Sequence, residues 1–433
     1  MQHKGSLLSI LLTTFILSGC GAGTTKSDWT YSVNMSDKNF DLQNLAVGES
    51  ASEFRFFRHS TLPYVVDSFQ ADGLALNTVI IDDYSLRPTV FNKTSGIGYG
   101  YKTTLTGTEI SKYNNSSELV WNFSENEIPE MAGEFESSQL FFDDVDSKLV
   151  VAMDSELLML SGTGGVLASS NTLAIETDCS TIISVKFQTD DSISISCKAS
   201  GLLYSYHFDE KLNTLDDFSA PISTYASNTY FALSSDSVYV YFDANITKFN
   251  FQGDPQWSMN TTGTRTKLYL QSDSLLVLSN EKDTNKPTLQ RFNSTGEVEW
   301  EYQADTLLSQ DTNLLMSENN LLLTYKDVTS GLKLDTTSED IGTVTASVKN
   351  HLLSDNGELI KLVVMDNQST LYLTIFSYYG SYTSNAGIAK TRGFMVVDST
   401  LVLLNDYFTV DLVDGVFKNI QDMAQLSAYT LSE

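Results

Sequence analysis

Short stretches of alternating apolar and polar residues recur along the chain, each entered from an acidic or polar turn: "DDVDSKLVVAM" (143–153), "TDDSISIS" (189–196), "SSDSVYVYF" (234–242), "QSDSLLVLS" (271–279) and "MSENNLLLTY" (316–325). A period of two puts successive side chains on opposite faces, so each stretch predicts a β-strand. In the best-formed units a second strand ("TKFN", "LQRFN"), a Gly turn and a third strand ("VEWEY") follow. Strand, turn, strand, turn, strand is the inner part of a four-stranded antiparallel sheet. No 3.6-residue period is sustained beyond the first nineteen residues, so helices are expected to be few.

The turns carry a second rhythm. "KYNNSSELVW" (112–121), "KFNFQGDPQW" (248–257) and "RFNSTGEVEW" (291–300) share a cation, an aromatic, Asn, a small residue three positions on, and Trp four positions after that. Weaker copies end at residues 168, 216, 361 and 419. The spacing of roughly 40–60 residues is that of propeller blades. Gly253 and Gly296 can supply the positive φ of a tight hairpin, Asn250 and Asn293 can bond the turn backbone, and Trp121, Trp257 and Trp300 can fill the space between blades. These phrases resemble the quinoprotein-type (PQQ-like) repeat, in which an Asp-x-x-Thr-Gly turn and a following Trp dock successive blades. They depart from it in a turn one residue shorter, in Asn for Asp, and in keeping Trp in only three phrases. The resemblance implies an all-β propeller of four-stranded antiparallel blades. Seven phrases plus the region 39–99 make eight blades, with seven as the alternative.

The chain starts "MQHKGSLLSILLTTFILSGC". Its apolar run, Leu7 to Leu17, falls well short of the roughly 20 residues that span a bilayer, and a small-residue site follows, as in a signal peptide. Leu17, Ser18, Gly19 and Cys20 match the bacterial lipoprotein box. That resemblance implies cleavage before Cys20 and acylation (palmitate) of its thiol and new amino group. Gly21 in place of Asp implies outer-membrane sorting. The expected organisation is a lipoprotein signal peptide (1–19), a lipidated Cys20 with a flexible tether (20–38) and a propeller domain (39–433). Lipobox, tether and propeller together are similar in layout to the lipoprotein scaffold subunit of the outer-membrane barrel-assembly machinery.

Composition sharpens this picture in two ways. With 26 Lys and Arg against 54 Asp and Glu in 433 residues, the net charge is −28. Such a surface repels phosphate backbones, so nucleic acid is not an expected partner. An exported protein also meets an oxidising compartment. Cys179 and Cys197 lie either side of the turn signal "QTDD" and could pair across a hairpin, although a hairpin centred on Thr189 and Asp190 leaves them a few residues out of register.

Residues with evident chemistry are sparse. His59, His207 and His351 lack zinc-ligand spacing and read as strand or surface histidines. Asp143, Asp144 and Asp146 lack the Gly and closing Glu of a calcium loop and read as a turn. "GIGYGY" (96–101) has no helix pattern after it, and "GTGG" (162–165) lacks the Lys of a phosphate loop. There is no Gly-x-Ser-x-Gly elbow, and no adjacent cysteine pair of the kind found in quinone-dependent dehydrogenases. No catalytic residue, metal or cofactor is therefore assigned. The aromatic runs "YSYHF" (204–208) and "FSYYGSYTSN" (376–385) suit either blade packing or adaptable binding. The expected function is a non-catalytic, lipid-anchored scaffold in the outer membrane, facing the periplasm and holding an envelope protein partner. The alternative is a propeller that binds or processes a small ligand or glycan at its axial funnel; an exposed apolar rim favours the first and clustered polar residues at the funnel the second. Cys20→Ser is expected to move the protein from the membrane to the soluble fraction, as read by fractionation of whole cells; retention on membranes would refute the lipid anchor.

Overall fold

A computed structural model of the protein describes residues 25–35, 44–47, 50, 52–59, 64–81, 86–91, 97–104, 107–116, 118–128, 138–143, 148–152, 157–170, 182–188, 191–199, 202–221, 231–261, 263–271, 273–306, 309–317, 319–328, 333–334, 342–343, 346–367, 390–413 and 416–431. Among these the only helical element is a 3-10 turn at Glu125–Glu127.

The strands form eight four-stranded antiparallel sheets. Blade 1 comprises β2 (Asn44–Val47), β3 (Glu53–His59), β4 (Tyr64–Gln70) and β5 (Ala75–Ile81). Blade 2 has β6 (Leu86–Phe91), β7 (Gly98–Thr104), β8 (Gly107–Tyr113) and β9 (Leu119–Ser124). Blade 3 has β10 (Gln139–Phe142), β11 (Lys148–Ala152), β12 (Leu157–Ser161) and β13 (Val166–Ser170). Blade 4 has β14 (Ile182–Phe187), β15 (Ile193–Ala199), β16 (Leu202–Phe208) and β17 (Thr214–Pro221). Blade 5 has β18 (Phe231–Leu233), β19 (Val238–Phe242), β20 (Asn245–Phe249) and β21 (Pro255–Asn260). Blade 6 has β22 (Thr264–Gln271), β23 (Ser274–Asn280), β24 (Pro287–Phe292) and β25 (Val298–Gln303). Blade 7 has β26 (Ser309–Met316), β27 (Asn320–Val328), β30 (Ala346–Ser354) and β31 (Leu359–Asn367), with a small hairpin, β28 (Lys333–Leu334) and β29 (Gly342–Thr343), inserted between its second and third strands.

Blade 8 joins the two ends of the chain. Its first three strands are β32 (Lys390–Val397), β33 (Thr400–Val413) and β34 (Val416–Thr430), and its fourth is β1 (Trp29–Met35), which pairs antiparallel with β34 from Trp29↔Ala428 to Met35↔Asp422. Asp28 anchors this junction by accepting hydrogen bonds from the backbone N–H and hydroxyl of Thr430. Thr25 pairs with Val364 of β31, N–H to carbonyl at 2.9 Å and hydroxyl oxygen to N–H at 3.0 Å. Of the segment 20–38 expected as a tether, residues 25–35 thus pair with blades 7 and 8. The reason is edge pairing: "WTYSVNM" alternates well enough to satisfy the open edge of β34, which would otherwise stand unpaired.

The first strands of adjacent blades lie against one another, β6 by β10, β14 by β18, β18 by β22, and β32 by both β26 and β2, which places them at the axis and the fourth strands at the circumference. Burial follows. Second strands such as β23 are buried on both faces, and outer strands such as β25 alternate between exposed and half-buried positions. Apolar side chains gather between blades rather than at one centre. One cluster joins blades 8 and 1 (Phe54, Phe69, Leu404, Leu426), another blades 2 and 3 (Tyr99, Ile110, Leu149, Leu158), and another blades 6 and 7 (Leu278, Leu289, Leu323, Tyr325). The fold is an eight-bladed β-propeller, the larger of the two blade numbers expected.

Candidate interaction surface

The repeated phrase builds the turn between the third and fourth strands. Asn114 Oδ1 accepts from the N–H groups of Ser116 and Glu118 at 2.9 Å each, and Asn293 Oδ1 from those of Thr295 and Glu297 at 3.0 and 2.9 Å. Asn250 Oδ1 does the same for Asp254 at 2.8 Å. Gly253 and Gly296 close their turns at φ of +83° and +86°, the left-handed region that costs an L side chain about 1–2 kcal/mol. A one-residue register shift follows and sets the cation opposite the Trp: Lys112↔Trp121, Lys248↔Trp257, Arg291↔Trp300.

Both then reach the next blade. Trp121 Nε1 and Lys112 Nζ donate to the same oxygen, the Gly162 carbonyl, at 3.0 and 2.8 Å. Trp300 Nε1 and Arg291 Nη1 likewise share the Asp355 carbonyl, at 3.1 and 2.9 Å. Trp257 Nε1 donates to the Ser294 carbonyl at 3.0 Å, whereas Lys248 faces Asp236 at 3.6 Å. Each indole also covers a glycine. A Cβ at Gly164, Gly296 or Gly357 would lie 2.9, 2.9 or 2.6 Å from the rings of Trp121, Trp257 and Trp300 respectively.

Blades without Trp at this position use other chemistry. In blade 4 Asp216 stands there, opposite His207, and accepts from Gln252 Nε2 of blade 5 at 2.8 Å. In blade 7 Lys361 stands there, opposite Leu352, and donates to the Thr430 carbonyl at 3.1 Å. In blade 8 the position belongs to Trp29, whose Nε1 donates to the Ala71 carbonyl at 3.0 Å and whose ring covers Gly73. Asn419, the end of the seventh phrase, instead lies within β34. Trp29 escaped the repeat because its phrase is cut: the third strand and turn come from the C-terminus and the Trp from the N-terminus. An indole preceded by Asp one turn-length before an alternating run was the available signal.

The residues with candidate chemistry are dispersed over the ring. His207 stacks on Phe251 with ring centroids 5.0 Å apart, and its Nε2 lies 3.0 Å from Ser192 Oγ. His351 is buried between blades 6 and 7, Nδ1 2.6 Å from Tyr302 Oη and Nε2 2.9 Å from Tyr325 Oη. In neutral imidazole one ring nitrogen donates and the other accepts, so the two phenols take opposite roles. Burial, and then the charge of Lys349, push the His351 pKa down to about 4. No group of three or more His, Cys, Asp or Glu among the described residues could hold a metal ion. Cys197 is buried on β15, opposite Ile182, and is disulfide-bonded; Cys20 and Cys179 lie outside the described residues, as does the aromatic run 376–385. Of "YSYHF", Tyr206 and Phe208 are buried in the cluster between blades 3 and 4. Of "GIGYGY", Tyr99 is fully buried on β7. "GTGG" is the turn that receives Trp121.

The surface carries a more distinctive feature. Where blades 1 to 4, 6 and 7 enter their outer strands, large apolar side chains stand in solvent: Leu74 and Leu76, Leu119 and Val120, Val166 and Leu167, Leu215, Val298, and Leu359, Ile360 and Leu362, with Leu74, Leu119 and Val166 57%, 54% and 47% exposed. They make an apolar arc that recurs from blade to blade beside the third-to-fourth-strand turns. On the opposite face the β33–β34 hairpin runs on past the last β32 partner, from Asp406 to Val413↔Val416.

No family model matches the chain, and no curated protein matches it. Among solved structures it is similar to BamB from Moraxella catarrhalis, with 11% identity and a TM-score of 0.40 over 92% of this chain and 96% of that one. It is similar to the WD40 domain of SCAP from fission yeast, with 10% identity and a TM-score of 0.43 over 93% and 98%. It is also similar to the dihydro-heme d1 dehydrogenase NirN, with 10% identity and a TM-score of 0.41 over 92% and 80%. The class, an eight-bladed propeller, rests on the strand topology itself, and no activity carries over from any of the three.

Two measurements follow from these contacts. Gly296→Ala should cost about 2–4 kcal/mol, because the left-handed backbone and the Trp257 ring both oppose a methyl group. In a Trp257→Ala background the same change should cost only the backbone share, about 1–2 kcal/mol, and a double-mutant cycle by denaturant unfolding reads the difference. For His351, the folded pKa of about 4 lies below the ordinary 6.5, so the unfolded chain binds the extra proton between these values. The stability it contributes is full above pH 6.5 and falls away as pH drops toward 4, by on the order of 2–3 kcal/mol. His351→Gln should flatten that part of the melting-temperature profile.

Proposed function

We propose that the chain is a non-catalytic, lipid-anchored scaffold of the bacterial outer membrane, facing the periplasm and binding an envelope protein, in the class of work done by outer-membrane protein assembly. The observation that carries the reading is the arc of exposed apolar residues on blades 1 to 4, 6 and 7. Isolated exposed leucines are ordinary, but a series repeated on one face and rimmed by polar turns suits a protein contact. The address comes from Leu17–Cys20 and the acylation that this motif implies. The rest of the surface is strongly acidic, which keeps the anchored propeller soluble and selects against anionic partners.

A photo-crosslinker at Leu119 or Leu167 in living cells should capture one dominant envelope protein, and one at Asp305, exposed beyond the far end of β25 on the opposite face, should not. Leu119→Glu with Leu167→Glu should reduce recovery of that partner by fivefold or more with the melting temperature unchanged, since both side chains are already in water. Equal capture from all three positions would remove the arc as the binding surface.

A further inference from the structure

The innermost strands invert the charge of the protein. The whole chain has twice as many acids as bases, 54 against 26. The first strands of the eight blades carry Arg87, Lys186, Arg265, Lys267, Lys390 and Arg392 and, against these six cations, the single acid Asp311. All but Arg87 and Lys186 lie on three consecutive blades, 6, 7 and 8.

On those three blades the innermost strand is also bulged near its start, as it is on blades 2 and 4. The pairing of β22 with β23 skips from Thr264 to Lys267, that of β26 with β27 from Gln310 to Asn313, and that of β32 with β33 from Thr391 to Gly393. The residues set out of register are Arg265 and Thr266, Asp311 and Thr312, and Arg392. Arg265 and Asp311 sit at φ of +54° and +51°, left-handed conformations that persist only where surrounding structure enforces them. A bulge re-aims a side chain away from the regular sheet, and here it does so toward the end of the axial channel where the innermost strands begin.

The contacts among these groups leave binding capacity over. Lys326 Nζ pairs with Asp311 Oδ2 at 2.8 Å, and Lys267 Nζ donates to the Thr312 carbonyl at 2.8 Å. The hydroxyls of Thr266 and Thr312, in equivalent bulges of neighbouring blades, are buried without a hydrogen-bond partner, and Thr266 is only 1% exposed. Arg265 and Lys390 are exposed. Burial and then the charge of Lys390 push the Lys267 ammonium down in pKa, and Asp311 is held low first by the hydrogen bond from Lys326, so the groups share one local field. Arg392 pairs with Asp406, which also stands opposite Lys390, so two carboxylates, Asp311 and Asp406, are set against five cations, Arg265, Lys267, Lys326, Lys390 and Arg392, and the unpartnered hydroxyls can donate to an anion as well.

We propose that the end of the axial channel at blades 6, 7 and 8 binds a small oxyanion of the carboxylate or phosphate class, held by Arg265, Lys267 and Lys390 with Thr266 beside them. Guanidinium supplies a planar fork for two oxygens and the ammonium groups supply point charges, the combination used to hold carboxylate and phosphate. The acidic exterior admits only a compact anion screened on approach, which excludes nucleic acid polymers. The site lies on the face opposite the docking turns and the apolar arc, so it is independent of the scaffold reading.

Titration calorimetry on the full chain, with citrate and with inorganic phosphate at matched ionic strength against sodium chloride, tests this. Saturable one-to-one binding of either anion is expected, and which one binds identifies the class. The Arg265→Gln, Lys390→Gln double variant, both side chains being exposed, should keep the circular dichroism melting profile and lose at least tenfold in affinity. Lys211→Gln, on an outer turn, should bind as the unaltered chain does. No saturable binding of either anion, or equal affinity in the double variant, overturns the proposal.

Discussion

A carbonyl oxygen of one blade, held by a side chain on the outer strand of the blade before it, is the polar contact that fixes five of the eight blade boundaries. Each four-stranded sheet is apolar on both faces and cannot bury either alone. Its neighbours must cover it, and hydrophobic contact by itself sets no angle. The hydrogen bonds to Ala71, Gly162, Ser294, Asp355 and Thr430 do set it, because each requires the donor strand and the acceptor turn to meet at one separation. The indole is well suited to the place. It buries a large apolar surface against a glycine and ends in one N–H that needs one acceptor.

The substitutions within that position show what it demands. Lys361 keeps the donor and gives up the ring, while Asp216 reverses the polarity and takes its hydrogen bond from Gln252. Both preserve a polar link across the blade boundary. Gly253 illustrates the complement: it keeps the positive φ its turn needs, while the link to the preceding blade is made by its neighbour Gln252 to Asp216 rather than by an indole. The glycine of each phrase therefore answers to its own turn first and to the preceding blade second.

The two faces divide the chemistry. The docking turns and the apolar arc share one face, and the bulged, cationic innermost strands open on the other, beside the extended β33–β34 hairpin. A ring of eight sheets is stiff because each blade is wedged between two others. Charged bulges can be held in strained conformations there without loosening the fold.

Much of this was legible in the chain. Alternation marked the strands, and the phrases at 112–121, 248–257 and 291–300 located three of the blade boundaries by residue, because turn chemistry and the Trp that follows it are local. The positions ending at 168, 216 and 361 were also legible, although only tertiary contact explains why Asp and Lys can stand where Trp does. Trp29 and the closing strand β1 were not legible, because their partners lie some four hundred residues away and no local period links the two halves of blade 8. The same holds for the cation cluster: Arg265, Asp311 and Lys390 belong to different repeats and become neighbours only when successive blades pack about the axis. Local sequence thus determined the strands, the turns and the repeat. Closure decided which residues share an environment, since only it brings the ends of the chain and the innermost strands to one axis.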